Sequence, residues 1–304
     1  MERHTIDRRG NDMAILMGLL SALCWGSTDF LAGHAARRVG VTKSLFYSQS
    51  FGFLILTASL ALHPSSLRIA TIDAGFGVGI LAAVCNLIAM AALLRALAIG
   101  KASVVAPIVS LYGAVTTILS LATGQSITQF AIAGLALCIV GASLASISKS
   151  ADGKTESPAS IGFALLSAAM FGLGFWLQGA FAVKSLGVVS ALWIYYLTAV
   201  VILFAALARA RNLSAPPGSI VLLILSISVF SLVGFFSLAY GSTTGHVAIV
   251  TVLSSLASGV TALLGFFVRG ERPSALQWVG IATIIAGVVM LKITPQALAA
   301  GVAA

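Results

Sequence analysis

GLLSALCWGSTDFLAGHAA, residues 18–36, decides the reading of this chain. The stretch is apolar enough to cross a bilayer, yet it carries Asp29 in its second half. It returns at a constant offset of 146 residues. Leu19-Leu20-Ser21-Ala22 recurs as Leu165-Leu166-Ser167-Ala168, Trp25-Gly26 becomes Phe171-Gly172, Phe30 becomes Trp176 and Gly33 becomes Gly179. Gly113 and Gly259, Gly124 and Gly270, Gly134 and Gly280, and Gly141 and Gly287 keep the same offset. An offset held from one end to the other marks an internal duplication.

The composition names the solvent. Of the 304 residues 59% are hydrophobic and 8% charged, with a mean hydropathy of +1.08. Soluble domains carry roughly 25% charged residues. So apolar a chain is predicted to lie in a bilayer, where only helices or a closed barrel satisfy the backbone. Barrel strands alternate at period 2. The runs here are continuous and about 20 residues long, the length of a spanning helix. A net charge of +9 does not point to nucleic acid, because the Lys and Arg stand singly or in pairs at the ends of apolar runs, where they meet headgroups. Cys24, Cys85 and Cys138 sit in separate runs without a CxxC pair and read as small core hydrophobes.

The predicted fold class is an all-α membrane protein of ten transmembrane helices, in two inverted five-helix repeats around a central cavity. The expected spans are 13–36, 44–62, 74–98, 102–122 and 128–147, then 159–183, 188–208, 219–241, 245–268 and 275–294. They divide the chain into a polar, frayed tail at 1–12, a first repeat at 13–147, a charged linker at 148–158, a second repeat at 159–294 and a tail at 295–304. A cleaved leader is not expected, since the opening segment recurs mid-chain. Five spans per repeat is an odd number, so the second copy starts on the opposite side of the membrane. Inverted repeats are the architecture of alternating-access transporters, with the solute site at the repeat interface near the midplane. The basic residues leave the orientation open. Arg3, Arg8, Arg9, Arg68, Lys184 and Lys292 fall on the side of the termini and the remaining Lys and Arg on the other. The larger group would place the termini outside, whereas the N-terminal cluster argues the reverse.

Several residues are candidates for the mechanism. Asp29 is the acidic residue placed within a span; at helical spacing it shares a face with Gly18, Ala22, Trp25, Gly26, Gly33 and Ala36. A carboxylate at this depth costs about 2.5–3.5 kcal/mol on insertion scales. It suits an amine, a coupling proton or a pair with Arg37 or Arg38. Its repeat copy is Phe175, so this site is asymmetric. Trp25, Phe30, Phe171, Phe175 and Trp176 could wall an apolar or cationic solute, or simply fill the core. Asn86 and Gln178 are amides within spans. Tyr112, Tyr195, Tyr196 and Tyr240 bring hydroxyls, as do Ser254 and Ser255 in the ninth span. Pro107, alone among the prolines, falls inside a span and is the hinge candidate. Gly75xxxGly79 and Gly241xxxGly245 permit close helix approach. No HExxH, GxSxG or P-loop occurs, so no catalytic residue, metal or cofactor is expected and the chain does not read as an enzyme.

The order of these features resembles the drug/metabolite transporter superfamily, specifically its ten-helix EamA-type members. Trp25-Gly26 with its copy Phe171-Gly172 carries the likeness. So does the repeat terminus, where Gly270-Glu271-Arg272-Pro273 precedes Gln277-Trp278-Val279-Gly280 and Ala286-Gly287-Val288. The first copy departs from it, with Gly124-Gln125-Ser126 in place of Gly-Glu-Arg. The resemblance implies a basket of ten helices with a cavity lined by helices 1, 3, 4, 6, 8 and 9, and secondary export of amino acids or other small metabolites. Small multidrug relatives hold a proton-coupling Glu in helix 1. The matching position here is near Leu23, so the resemblance gives Asp29 no role.

The expectation is therefore a multi-pass inner-membrane secondary transporter exporting amino acids or similar metabolites by alternating access. Its partners are the solute, the lipid bilayer and a proton, without nucleic acid. The alternative within transport is a multidrug, lipophilic-cation exporter. The alternative from another class is a non-transporting scaffold, which would show no flux.

Overall fold

The computed structural model describes residues 2–62, 74–99, 105, 108–124, 129–146, 157–257, 259–261, 264 and 275–292. Pro107, most of the 148–158 linker, the Gly270-Glu271-Arg272-Pro273 turn and the 295–304 tail lie outside the described residues.

Among the described residues there is no strand. The longer helices among the described residues are α1 Glu2–Val39, α2 Val41–Leu62, α3 Ala74–Ile99, α4 Tyr112–Ala122, α5 Gln129–Ser146, α6 Pro158–Leu177, α7 Val188–Arg209, α8 Gly218–Ser242, α9 Val247–Ser254 and α10 Ala275–Lys292, with a short helical turn Val183–Leu186 between α6 and α7. Six stretches are long and apolar enough to cross a membrane: Gly10–Ala36, Val41–Leu62, Ala74–Ala96, Pro158–Leu186, Val188–Arg209 and Gly218–Ser242. Shorter apolar helices at Ile108–Ala122, Ile132–Gly141, Val247–Thr261 and Trp278–Gly287 stand where the other four spans were expected. The chain is a multi-pass membrane protein. Its large outward side chains are apolar, with Leu222 77% and Ile118 66% exposed, as a surface against lipid requires.

Two expectations change in detail. The polar segment after Met1, expected to fray, continues α1 as helix from Glu2. Gly245 is not an interface glycine; it turns the chain between α8 and α9 at φ +87°, while its partner Gly241 does meet α1, against Met17.

The helix pairings repeat when the halves are exchanged. α1 packs on α8 as α6 packs on α3, and α1 packs on α9 as α6 packs on α4. α2 meets its own copy α7, α4 meets α9, and α5 meets α10. A helix that meets its own copy lies on the symmetry axis, and the direction of crossing tells where that axis points. In α5 and α10, Gly141 lies against Gly280 while Gly287 lies against Gly134, so the pair runs antiparallel. At its centre the Cys138 thiol faces the Ile284 carbonyl at 3.9 Å, 146 positions apart. In α2 and α7, Gln49 meets Tyr195 and Thr57 meets Trp193, again antiparallel. An axis that relates antiparallel helices is perpendicular to them. It lies in the membrane plane, and the two repeats are inverted.

Small residues let the backbones meet. A Cβ on Gly26 would come within 2.7 Å of the Ala257 carbonyl oxygen, and one on the copy, Gly172, within 2.9 Å of that of Tyr112. A threonine then closes each seam on the glycine's own carbonyl. Thr261 Oγ1 donates to the Gly26 carbonyl at 3.0 Å, and Thr116 Oγ1 to the Gly172 carbonyl at 2.9 Å. The acceptors are repeat copies, while the donors stand one position out of register. In lipid these contacts substitute for the hydrophobic driving force that water supplies elsewhere.

Candidate functional site

The axis carries the candidate site. α4 and α9 cross on it, and both are interrupted there. A turn at Leu111 separates Ile108–Ser110 from α4. α9 stops at Ser254, and helix resumes only after the Ser255–Leu256 turn. Pro107, the hinge candidate of the sequence, lies outside the described residues. The α9 break has no proline; there Ser254 and Ser255 donate to the carbonyls of Thr251 and Val252 at 2.8 and 2.6 Å, competing with the helix's own bonds. Discontinuous helices at the repeat interface are where transporters place solutes and ions.

Tyr112 and Ser254 meet at these breaks, their hydroxyls 3.2 Å apart and both side chains buried. Asp29 stands close enough to act electrostatically on Tyr112. Tyr112 and Ser254 thus touch, and Asp29 lies within electrostatic range of Tyr112, which brings sequence candidates from α1, α4 and α9 into one neighbourhood. Asp29 makes no ion pair among the described residues. The pair with Arg37 or Arg38 is disfavoured by the helix itself: α1 is continuous to Val39, so eight residues of rise separate Asp29 from Arg37 by about 12 Å. The face that Asp29 shares with Gly18 and Gly26 is closed by α9, at Val250, and by the helix that resumes beyond its break, at Val260. At Gly33 an added Cβ would meet nothing within 4 Å among the described residues.

From this cluster an aromatic column runs along the axis. Tyr112 lies edge-on to Phe175 at 5.4 Å between centroids, and Phe171 stacks on Phe175 at 5.3 Å. Phe175 stacks on Trp25 at 5.0 Å, Trp25 meets Phe235 edge-on at 4.9 Å, and Phe235 meets Tyr195 at 4.4 Å. Tyr196 is edge-on to Tyr195 at 5.1 Å. All seven are buried. Gly234 makes room for Trp25, since a Cβ there would come within 2.6 Å of the indole.

Asn86 and Gln178 are brought together as well, with Asn86 Nδ2 donating to Gln178 Oε1 at 3.4 Å between α3 and α6. Both are buried, and Asn86 Oδ1 and Gln178 Nε2 have no partner among the described residues. Gln178 opens the π-turn Gln178–Ala182, a departure from α-geometry that recurs at functional sites. Its copy in α1 is regular helix.

Other candidates stand apart. Trp176 is half-buried at the far end of α6, its indole N–H donating to Thr123 Oγ1 at 3.4 Å. Tyr240 is 42% exposed and stacks on Phe236 on the outer surface. Ser255 is buried beside the cluster, and its carbonyl accepts from Ser110 Oγ at 3.4 Å. Pro107 lies outside the described residues. Sequence reasoning gave no place to Phe235 or Gln49. Phe235 had no signal, because its repeat copy is Ala89. Gln49 had one: it and Tyr195 are polar at equivalent positions of the two repeats.

Residues 12–147 and again 159–293 match the pattern of the EamA-like transporter family. A solved crystal structure of a protein is similar over 91% of this chain and 95% of that one, with a TM-score of 0.76 at 17% sequence identity, a likeness of fold. No curated protein matches the chain.

Proposed function

Because the chain belongs to the EamA-like transporter family, we propose that it is an inner-membrane secondary transporter that exports small amine-bearing metabolites, amino acids among them, by alternating access. The observation that carries this reading is the aromatic column on the pseudo-twofold axis, with Asp29, Tyr112 and Ser254 at one end. Aromatic faces attract an ammonium group by about 0.5–2 kcal/mol each, more where water is excluded. A carboxylate beside them supplies the counter-charge, and it can exchange a solute amine for a proton. The halves that enclose the column are related by an axis in the membrane plane, so rocking one against the other exposes the same groups to either side. The interruptions in α4 and α9 are natural hinges for that motion.

The lipophilic-cation reading has its own support. Among the described residues no Lys, Arg or His is buried. An amino acid's carboxylate would meet no basic partner along the column, whereas a cation needs only Asp29 and the rings.

The test is flux in proteoliposomes with a panel of radiolabelled amino acids, simple amines and cationic dyes, under an imposed proton gradient. Counterflow of at least one amine that is blocked by Asp29→Asn supports the reading. Absence of flux for the whole panel would favour a non-transporting scaffold.

A further inference from the structure

The far end of the aromatic column is polar. Gln49 of α2 and Tyr195 of α7 are repeat copies of one another and meet on the axis, Gln49 Nε2 donating to the Tyr195 hydroxyl at 3.2 Å. An axis in the membrane plane places them at the midplane, where an unmet polar atom is costly. Gln49, Tyr195 and Tyr196 are 3%, 2% and 0% exposed. Among the described residues Gln49 Oε1 and the Tyr196 hydroxyl lack a well-formed hydrogen bond, with the Ser231 side chain near enough to Tyr196 to interact with its hydroxyl. The Tyr195 hydroxyl, having accepted from Gln49, still has its own proton to give. One acceptor and two donors thus stand on neighbouring side chains without charge, the Tyr195 and Tyr196 rings 5.1 Å apart and Tyr195 in contact with Phe235 of the column.

We propose that Gln49, Tyr195 and Tyr196 form a second subsite, opposite Asp29, that takes an uncharged hydrogen-bonding group of the solute, a carboxamide above all. A carboxamide offers N–H to Gln49 Oε1 and a carbonyl oxygen to the tyrosine hydroxyls, matching every unmet atom. A carboxylate would bring a second charge to a place without a cation. The inference rests on the reading that the column holds the solute, and it deepens that reading. The preferred solute is bipolar, with an ammonium at Asp29, an apolar or aromatic middle along the rings and a neutral amide at Gln49.

The full chain, reconstituted in proteoliposomes and nanodiscs, is tested with phenylalaninamide, phenethylamine and phenylalanine. Binding is read by ligand-induced shift of the thermal midpoint, and flux is read separately. The wild type is expected to bind phenylalaninamide about tenfold tighter than phenethylamine, as one well-made hydrogen-bond pair provides, with phenylalanine weakest. Gln49→Leu brings the two amines to within about twofold, the loss falling on the amide. Tyr196→Phe, which keeps shape and packing, lowers the ratio part of the way even where Gln49→Leu does not fold. Equal binding of both amines by the wild type overturns the subsite, as does a loss shared equally by both probes or no binding of any probe. A change of stability in Gln49→Leu with the ratio intact assigns these atoms to a buried water and overturns it too. Amide preference in binding without flux would retain the subsite and remove the transport reading; Asp29-dependent flux without amide preference would do the reverse.

Discussion

Trp25 stacks on Phe175 with ring centroids 5.0 Å apart and planes 20° from parallel. One ring comes from the opening helix of each repeat, and Phe175 holds the position that Asp29 holds in the other half. The duplication has therefore been turned to two uses: one copy supplies a charge beside the axis and the other a ring on it. A symmetric ancestor would carry the same group at both positions; the present chain carries a carboxylate at one and a ring at the other.

Asp29→Asn is isosteric and removes the charge. Gradient-coupled flux is expected to vanish, and the pH dependence of any residual facilitated flux with it, while the thermal midpoint in detergent stays the same or rises, because a carboxylate at this depth opposes insertion by about 2.5–3.5 kcal/mol. Unchanged transport and pH dependence in proteoliposomes would remove Asp29 from the mechanism.

Gly234→Ala places a methyl where the Trp25 indole now lies, within 2.6 Å of Cδ1 and Nε1. The ring has to leave its contacts with Phe175 and Phe235, which are worth about 0.5–1.5 kcal/mol each beyond their burial. Flux is expected to fall at least fivefold, and the double variant Gly234→Ala with Trp25→Phe, whose smaller ring clears the methyl, to recover part of it. A single variant with full flux would show that the position of the indole does not matter to transport.

Thr116→Val and Thr261→Val each delete the bond to one of the two copied glycine carbonyls, Gly172 and Gly26. Each should cost about 1 kcal/mol, the ordinary net contribution of a hydrogen bond, and by similar amounts if the halves are equivalent at the seam. Thermal unfolding in detergent compares them. Loss of stability in one variant alone would show that the two seams are not equivalent.

The duplication, the helical class and the inversion were legible because they rest on periodicity and parity, which survive divergence. Asp29, Tyr112 and Ser254 were legible one by one, since a polar group in an apolar span stands out. Their meeting was not, because it depends on how α1, α4 and α9 cross. Phe235 was hidden for a related reason: an aromatic residue in a membrane helix faces lipid or core equally well, and only the Gly234 beside Trp25 settles which. The π-turn at Gln178 left no trace, as Gln178–Ala182 reads like any other apolar helix.

Asn86 and Gln178 allow the sharpest separation of structure from function. Their positions in the other repeat hold Leu232 and Ala32, so the fold already contains an apolar version of this pair. Replacing one amide strands the other and is expected to cost about 1–3 kcal/mol. Replacing both by the residues of the other half, Asn86→Leu with Gln178→Ala, removes the unmet Oδ1 and Nε2 atoms together and is expected to return stability to the wild-type level or above. If the amides only join α3 to α6, the double variant transports normally. If they touch the solute on its way past the π-turn, flux falls at least tenfold in a protein as stable as the original. The second outcome is expected, because α8 and α1 pack in the other half with a leucine and an alanine at these positions, so the packing of α3 on α6 does not need the amides. Thermal unfolding and flux, measured on the same reconstituted protein, decide between them.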